Sequence, residues 1–255
     1  MKFGMVILLL AIFLPNVSEP SIHRSHTTCK KNELFKARNT IAWSTPSGVR
    51  GFFYKSGLAV DADGAFRAYH PSDRLGLDSL GHAGHRGNWW ALVTDSGKTS
   101  GRPFVQRKSD PAPGYYVSTT ALYNPDNPNA RDAHRYVDAA KIPYVVLHPK
   151  ALSYARLGDF ATVMNLQNGK ISAAIVADES AADLPVGEGS MALAEALGID
   201  SSPRHGGKDD AVAYLIYPGS GNGRPRPLKE IVRNSKQLFL AWGGFDRLSA
   251  CLAGE

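Results

Sequence analysis

Apolar residues occur along most of the chain in short runs, which are separated by glycine, proline and aspartate. Such runs are typical of β-strands, whereas a long amphipathic helix would repeat its apolar residues every three or four positions. The pattern predicts eight strands, at residues 51–54, 89–94, 104–106, 114–117, 144–147, 162–166, 171–176 and 212–217.

Asn168 and Gly169 separate two of these predicted strands. Asn-Gly is a dipeptide that tolerates the two positive φ angles of a type I′ turn. We therefore expect 162–166 and 171–176 to form a β-hairpin with a type I′ turn, in which the second strand ends at Val176.

Helical patterns are few and short. Residues 190–198 begin with Ser190, a favourable N-cap residue, continue with alanine and leucine, and end at Gly198. A second helix is predicted over 228–239. A composition of 43% hydrophobic and 20% charged residues is that of a globular protein. Together these elements predict the α+β class, as a single β-rich domain with a few short helices.

The N-terminus carries a separate signal. Residues 5–14 form an apolar run that follows Lys2 and is too short to span a bilayer, as in a secretory signal peptide. We expect a signal peptide at 1–18, with cleavage between 18 and 27, an irregular segment at 19–50 and the main domain at 51–255. The protein is then secreted, and the mature chain is not expected to enter a membrane.

The two cysteines stand near the two ends of the mature chain. In an oxidising compartment Cys29 and Cys251 could close a loop around nearly the whole domain. A disulfide between them is predicted, and two unpaired thiols are the alternative.

The net charge of +6 is unevenly distributed. Residues 19–56 carry +5 and residues 201–255 carry +3, whereas 13 Lys and Arg against 16 Asp and Glu leave 57–200 with −3. A nucleic-acid surface needs a basic face with interleaved aromatic residues. Here the excess positive charge lies in the two flanking segments and not in the centre, so we expect no nucleic-acid partner. Separately, we expect the protein to be a monomer.

The chain contains no GxSxG elbow, P-loop, HExxH motif or cysteine cluster. It does contain a carboxylate pair: Asp178 follows an apolar strand, and Glu188 lies between two glycines ahead of the predicted helix. One protonated and one ionised carboxyl group are the minimum needed to cleave a glycosidic bond. The same positions also suit a turn-forming aspartate and a glutamate near a helix dipole. Three neighbouring acids are not expected to take part: Glu179, Asp183 and Glu195.

Two adjacent aromatic pairs, Trp89-Trp90 and Tyr115-Tyr116, could each place one ring in the core and one at the surface. An exposed ring of this kind could stack on a sugar, and core packing is the alternative for each residue.

Two short motifs suggest metal binding but are incomplete. Asp61-Ala62-Asp63-Gly64 lacks the other ligands of an EF-hand loop, so a plain turn is expected there. His82 and His85 could hold a metal only with ligands from elsewhere in the chain. We predict no metal and no cofactor.

Six strings in order along about residues 50–220 together resemble the fungal chitosanases of glycoside hydrolase family 75. They are DADGAFRAYHP at 61–71, GNWW at 87–90, DPAPGYYVSTT at 110–120, RYVD at 135–138, IVAD at 175–178 and GEGS at 187–190. The resemblance implies a secreted enzyme that hydrolyses β-1,4 glucosaminidic bonds inside chitosan, with Asp178 and Glu188 as its catalytic residues. The connecting stretch 179–185 differs from the family pattern.

The resemblance also implies an inverting mechanism. Glu188 is the preferred acid, because its glycine-flanked position can lie against apolar walls that raise its pKa, and Asp178 is then the base. The reverse assignment stays open, because Glu188 also precedes a helix. Chitosan is a polycation in mild acid, so Asp63 and Asp110 are candidates for binding its amines, and the two aromatic pairs for stacking. Two other classes remain: a non-catalytic polysaccharide-binding protein, and a basic nuclease or polyanion-binding protein.

Overall fold

The computed structural model describes residues 29–46 and 48–253, and the predicted signal peptide lies outside them. Along these residues the strands and α-helices are β1 Asn32–Ala37, β2 Thr40–Ser44, β3 Phe52–Asp61, β4 Tyr144–Leu147, α1 Pro149–Leu152, β5 Phe160–Asn165, β6 Ile171–Glu179, β7 Glu188–Ser190, α2 Met191–Ala196, β8 Lys208–Ile216, α3 Leu228–Trp242 and α4 Gly244–Leu252. Three short 3-10 turns, Asp73–Leu75, Leu80–Ala83 and Ala133–Arg135, lie in the long segment between β3 and β4.

Six of the strands close into a barrel. The order is β3, β7, β4, β6, β5 and β8, and β8 pairs with β3 to complete the ring. The β1–β2 hairpin extends the sheet from the first residues of β3, through the pairs Trp43–Phe53 and Ser44–Phe52. The α+β prediction of a single β-rich domain with short helices is confirmed.

Alternate residues of the barrel strands enter two different apolar clusters. One cluster takes Tyr54, Val145, Val163, Val176 and Tyr214, all fully buried, and fills the barrel. The other takes the residues between them and packs under α3, α4 and the segment that joins β3 to β4. The outer face of the barrel therefore packs against these helices and this segment. The candidate site lies on the same face, where β3, β4 and β6 meet the segment.

Several predicted strands differ from the structure. Three predicted strands form only isolated bridges, such as Leu92–Ser118 and Val105–Tyr116: they are 89–94, 104–106 and 114–117. All three lie in the long segment between β3 and β4, where no neighbouring strand pairs with them continuously. Conversely, β1 and β2 lie in the segment predicted to be irregular. Their residues mix apolar and polar side chains without a clear alternation, and the two strands are held by pairing with each other and with β3. Strand β7 was not predicted.

The hairpin between β5 and β6 is confirmed, but its predicted turn type is wrong. Gly169 has a φ of +73°, whereas Asn168 does not have a positive φ. Four residues separate Asn165 from Lys170, whose backbone groups are hydrogen-bonded, and the Gly169 N–H donates to the Asn165 carbonyl at 2.9 Å. Strand β6 also continues past Val176 to Glu179, because it pairs with β4 as well as with β5.

The predicted helices are confirmed with shifted ends. Ser190 caps α2 by accepting the Leu193 N–H at 3.1 Å, and the predicted 228–239 helix extends to Trp242. Helix α4 was not predicted; it carries Cys251, which forms the predicted disulfide with Cys29. Among the described residues, no helix has the length and hydropathy needed to cross a bilayer.

The hydroxyl of Tyr54 is a local defect in the barrel interior. Its ring stacks on Tyr214 at 4.8 Å, but its hydroxyl is the one buried side-chain polar atom without a hydrogen-bond partner in the described part of the chain. A buried hydroxyl without a partner costs about 1–3 kcal/mol.

Tyr54→Phe is therefore expected to leave the free energy of unfolding unchanged or to raise it by about 1 kcal/mol. Tyr214→Phe is the matched control, because the Tyr214 hydroxyl donates to the Gly57 carbonyl at 2.7 Å, and its loss should destabilise. Urea unfolding of both variants measures the difference. A Tyr54→Phe protein that is less stable than Tyr214→Phe would contradict the expectation.

Candidate functional site

Asp178 and Glu188 are brought together by strand β4, which lies between them. Val146 of β4 pairs with Asp178 of β6 on one side and with Glu188 of β7 on the other. Paired residues of neighbouring strands point to the same face of a sheet. Both carboxyl groups therefore project from the outer face of the barrel, two strand spacings apart, or about 9–10 Å between backbones.

A β-bulge at the end of β6 directs Asp178 to this face. Val145 pairs with Val176 and Val146 pairs with Asp178, so Ala177 is an extra residue in the ladder. Without the bulge, strict alternation would turn Asp178 toward the barrel interior, where Val176 lies. Bulges commonly redirect a side chain in this way next to a functional site.

Packing explains the two glycines beside Glu188. Gly187 has a φ of +107°, and a Cβ there would lie 2.4 Å from the Gly57 carbonyl oxygen. A Cβ on Gly189 would lie 2.6 Å from the Leu193 side chain and 2.8 Å from the Tyr144 carbonyl oxygen. The glycines thus allow β7 to lie tightly between β3 and β4, which fixes the position of Glu188.

Asp61 and Asp63 enter the site from the end of β3. The Asp63 N–H donates to Asp61 Oδ1 at 2.8 Å, which forms the predicted turn. The Tyr144 hydroxyl donates to Asp61 Oδ2 at 2.9 Å. This hydroxyl also lies 3.0 Å from the Asp63 carbonyl oxygen, so β4 holds the turn in place.

Asp63 connects this turn to further polar groups. Its Oδ1 accepts hydrogen bonds from the hydroxyls of Tyr69 at 2.8 Å and Ser118 at 3.2 Å. The Tyr69 hydroxyl also lies 3.4 Å from Asp78 Oδ2, and His82 Nδ1 lies 2.9 Å from Asp78 Oδ1. The result is a cluster of five carboxyl groups, which we call the acidic cluster: Asp61, Asp63, Asp78, Asp178 and Glu188.

Burial and mutual repulsion shift the titration of the acidic cluster. Burial, followed by the charges of Asp61, Asp178 and Asp78, raises the pKa of Glu188 to about 8. Burial raises the pKa of Asp61 to about 6, against the hydrogen bonds from Asp63 and Tyr144. Burial and the Asp61 charge also raise the pKa values of Asp63 and Asp178. Protons are therefore shared among these groups in mild acid.

The hydrogen bonds to Asp178 and Glu188 differ. Asp178 Oδ1 accepts the backbone N–H groups of Glu179 at 2.9 Å and Ala121 at 3.1 Å, both of which lower its pKa against the effect of burial. The Glu188 carboxyl accepts no hydrogen bond from the described residues. Asp178 therefore has donors that stabilise its ionised form and Glu188 has none, while burial raises the pKa of both carboxyl groups.

One group of residues in the described ranges has the spacing of a metal site. Carboxylate oxygens of Asp61, Asp63 and Asp178 lie within 4.8 Å of one another, so these three could hold a hard divalent cation. His82 and His85 do not belong to this group.

The other candidate residues lie at varied positions. Trp90 is 55% exposed and its Nε1 donates to the His82 carbonyl at 2.9 Å, beside the acidic cluster. Trp89 and Tyr116 pack against the outer core, and Tyr115 lies edge-on to His70 at 4.8 Å. Asp110 closes a turn by accepting the Arg107 N–H at 2.6 Å, and it has no hydrogen bond to the cluster.

Sequence reasoning did not single out Asp61, Asp78, Tyr69 or Tyr144 for the site. Asp61 had a detectable signal, because it stands with Asp63 in the first string of the family resemblance. Tyr144 had none, since it lies in an apolar strand and reaches Asp61 only through the packing of β4 beside the end of β3.

Comparison with known families assigns part of the chain. The model of one family, described as fungal chitosanase of glycosyl hydrolase group 75, matches residues 103–239. The match covers more than half of the chain and runs from before β4 into α3, so it contains Asp178 and Glu188. No curated protein matches the chain.

Proposed function

Because the chain belongs to the fungal chitosanases of glycosyl hydrolase group 75 and is a glycoside hydrolase, we propose that it is a secreted enzyme that cleaves chitosan internally with inversion at the anomeric carbon. Glu188 is the general acid and Asp178 the general base. The observation that carries the proposal is their placement on both sides of Val146, on one face of the barrel.

Glu188 suits the role of acid. Its pKa of about 8 keeps the carboxyl protonated in mild acid, where it can donate to the leaving glycosidic oxygen. Asp178 suits the role of base, because the two backbone N–H donors stabilise its ionised form while leaving Oδ2 for a water molecule. Environments that set two carboxyl groups in opposite protonation states are characteristic of glycosidase sites.

The separation of the two strands supports inversion. An inverting site needs about 6.5–9.5 Å between its carboxyl groups to accommodate a water molecule, whereas a retaining site needs about 5–5.5 Å. Asp178 and Glu188 stand two strand spacings apart, about 9–10 Å between backbones, which is closer to the separation in an inverting site. This arrangement leaves room for the attacking water.

The charge of the site suits a cationic polymer. Five carboxyl groups create a negative potential that attracts the ammonium groups of glucosamine, although the whole chain is basic. Asp63 Oδ2 accepts no hydrogen bond from the described residues, so it is our candidate ligand for a substrate amine. The exposed ring of Trp90 is our candidate stacking surface at the same end.

Secretion is supported by two features. The Cys29–Cys251 disulfide is of a kind that persists in oxidising compartments. The apolar run at residues 5–14 has the length and the flanking lysine of a signal peptide.

Turnover tests the proposed function. The purified mature protein is incubated with deacetylated chitosan, with chitin and with carboxymethyl cellulose, and the solution viscosity and the oligosaccharides released are measured. We expect an early fall in viscosity and short oligosaccharides from chitosan, and much less product from the two neutral or anionic polymers. No oligosaccharide release from chitosan would refute the proposal.

Asp61→Asn provides a pH-dependent test of the acidic cluster. Because the Asp61 charge raises the pKa of Glu188, its removal should lower that pKa by about one unit. Activity is lost as pH rises through the pKa of the acid, so the basic limb of the kcat–pH profile should move to lower pH.

Asp110→Asn is the matched control, since Asp110 lies outside the cluster, and its profile should not move. An Asp61→Asn enzyme with lower activity but an unshifted basic limb would show that Asp61 has only a structural role.

A further inference from the structure

An open cavity of about 510 Å³ adjoins the acidic cluster on the Asp178 side. Residue Ala121 connects the two, because it lines the cavity while its N–H donates to Asp178 at 3.1 Å. The cavity lies between residues 121–125 and 152–157, with Gly223 at its edge. Its volume is in the range of small-molecule sites, so a sugar unit of a bound polymer could occupy it.

The lining of this cavity is chemically unlike the acidic cluster. Most of it is hydrocarbon, from Leu122, Pro125, Leu152 and Leu157, and none of the lining residues is acidic. Arg156 is the charged residue in the lining. An ammonium group would find no carboxylate here and would meet a cation of the same sign, whereas an uncharged acetamide methyl could contact the hydrocarbon surface.

Two side chains give the cavity a fixed shape. Tyr123 is 41% exposed, and the Arg135 guanidinium lies 4.2 Å from its ring centre, which holds the ring as a platform. The guanidinium of Arg156 donates to the Gly221 carbonyl at 2.7 Å, so its charge stays at the cavity wall.

We propose that this cavity is a sugar subsite that selects an N-acetylated glucosamine unit of the substrate chain. The proposal rests on the proposed chitosanase function. It adds that different positions along the bound polymer prefer acetylated or free glucosamine units. Free amines are bound at the end formed by Asp63 and Trp90, and an acetylated unit is bound at the end formed by Tyr123 and Pro125.

A binding experiment tests the subsite without turnover. Saturation-transfer NMR is recorded for N,N′-diacetylchitobiose and for chitobiose, with the wild-type protein and with Pro125→Glu, which places a carboxylate on an exposed part of the lining. We expect strong transfer to the acetyl methyl protons in the wild type and at least a fivefold loss in Pro125→Glu, about the effect of one apolar contact. Equal transfer in both proteins would overturn the proposal, whether or not the protein cleaves chitosan.

Product sequencing tests the same preference during turnover. Partially acetylated chitosan is digested, and the positions of acetylated units relative to the new chain ends are read by mass spectrometry. We expect acetylated units to be enriched at one fixed distance from the ends and this enrichment to disappear in Pro125→Glu and in Arg156→Glu. Arg50→Glu is the control, because Arg50 lines a second cavity with Arg156 but not the first.

The two proposals fail in distinguishable ways. Oligosaccharide release with acetylated units at random positions would overturn the subsite while the chitosanase function stands. No release at all would refute the function, and the binding experiment would still decide the fate of the subsite.

Discussion

Glu188→Gln is expected to lower kcat on chitosan by about 10²- to 10⁴-fold, because the amide cannot donate a proton to the leaving oxygen. Asp178→Asn should cause a loss of the same order, since the amide cannot accept a proton from water. Both side chains keep nearly the same shape, so the barrel should fold. Reducing-end release from chitosan and circular dichroism of each variant measure activity and fold together.

Neighbouring acids provide the controls. Glu179→Gln, Asp183→Asn and Glu195→Gln change carboxyl groups that lie outside the acidic cluster, and each should retain most of the activity. A folded Glu188→Gln enzyme with near wild-type turnover would refute the assignment of the acid. Equal losses in the three controls would show that the effect is not specific to the cluster.

Stability should respond to Glu188→Gln in the opposite direction from activity. The folded pKa of Glu188, about 8, lies above its ordinary value of 4.5, so between these values the folded protein holds a proton that the unfolded chain releases. Glu188 therefore costs stability that increases as pH rises through this window and then levels off. The Tm of the Gln variant should rise relative to the wild type between about pH 5 and 8.

Loss of the disulfide is expected to lower the stability by about 5 kcal/mol, on the loop-entropy estimate for cysteines separated by 222 residues. For a domain of this size the corresponding fall in Tm is about 10–20 °C. The bond joins Cys29, three residues ahead of the start of β1, to the fully buried Cys251 of α4, so it fastens both ends of the described chain to the outer core.

Calorimetry of the Cys29→Ser/Cys251→Ser protein measures this effect. A reducing agent should lower the Tm of the wild type toward that of the variant and leave the variant unchanged. A difference of less than about 3 °C between the oxidised wild type and the variant would show that packing alone fixes the ends.

Local patterns predicted the strands whose side chains are nearly all apolar. Strand β4 was predicted at its observed ends, and the hairpin of β5 and β6 was predicted at the correct place. Strand β7 was not predictable, because three residues, one of them glycine, are too few to show an alternation of apolar and polar side chains. It exists because β3 and β4 both pair with it. Closure of the barrel likewise depends on pairings between residues far apart in sequence.

The site was predictable only in part, because it too depends on pairings between residues far apart in sequence. The family resemblance pointed to Asp178 and Glu188, but the feature that places them together is the register of both with Val146. The Ala177 bulge contradicts the alternation by which a sequence pattern assigns faces. The contribution of Asp61 depends on the Tyr144 hydroxyl, which lies 83 residues away in the chain.

Proton NMR of the first products released from chitosan tests the paired roles of Glu188 and Asp178 most directly. Attack by a water molecule held at Asp178, on the face of the sugar opposite Glu188, inverts the β-linkage. The first reducing ends should therefore be the α anomer, with the β anomer appearing only later through mutarotation. Initial release of the β anomer would show retention and contradict the assignment of Asp178 as a base that activates water.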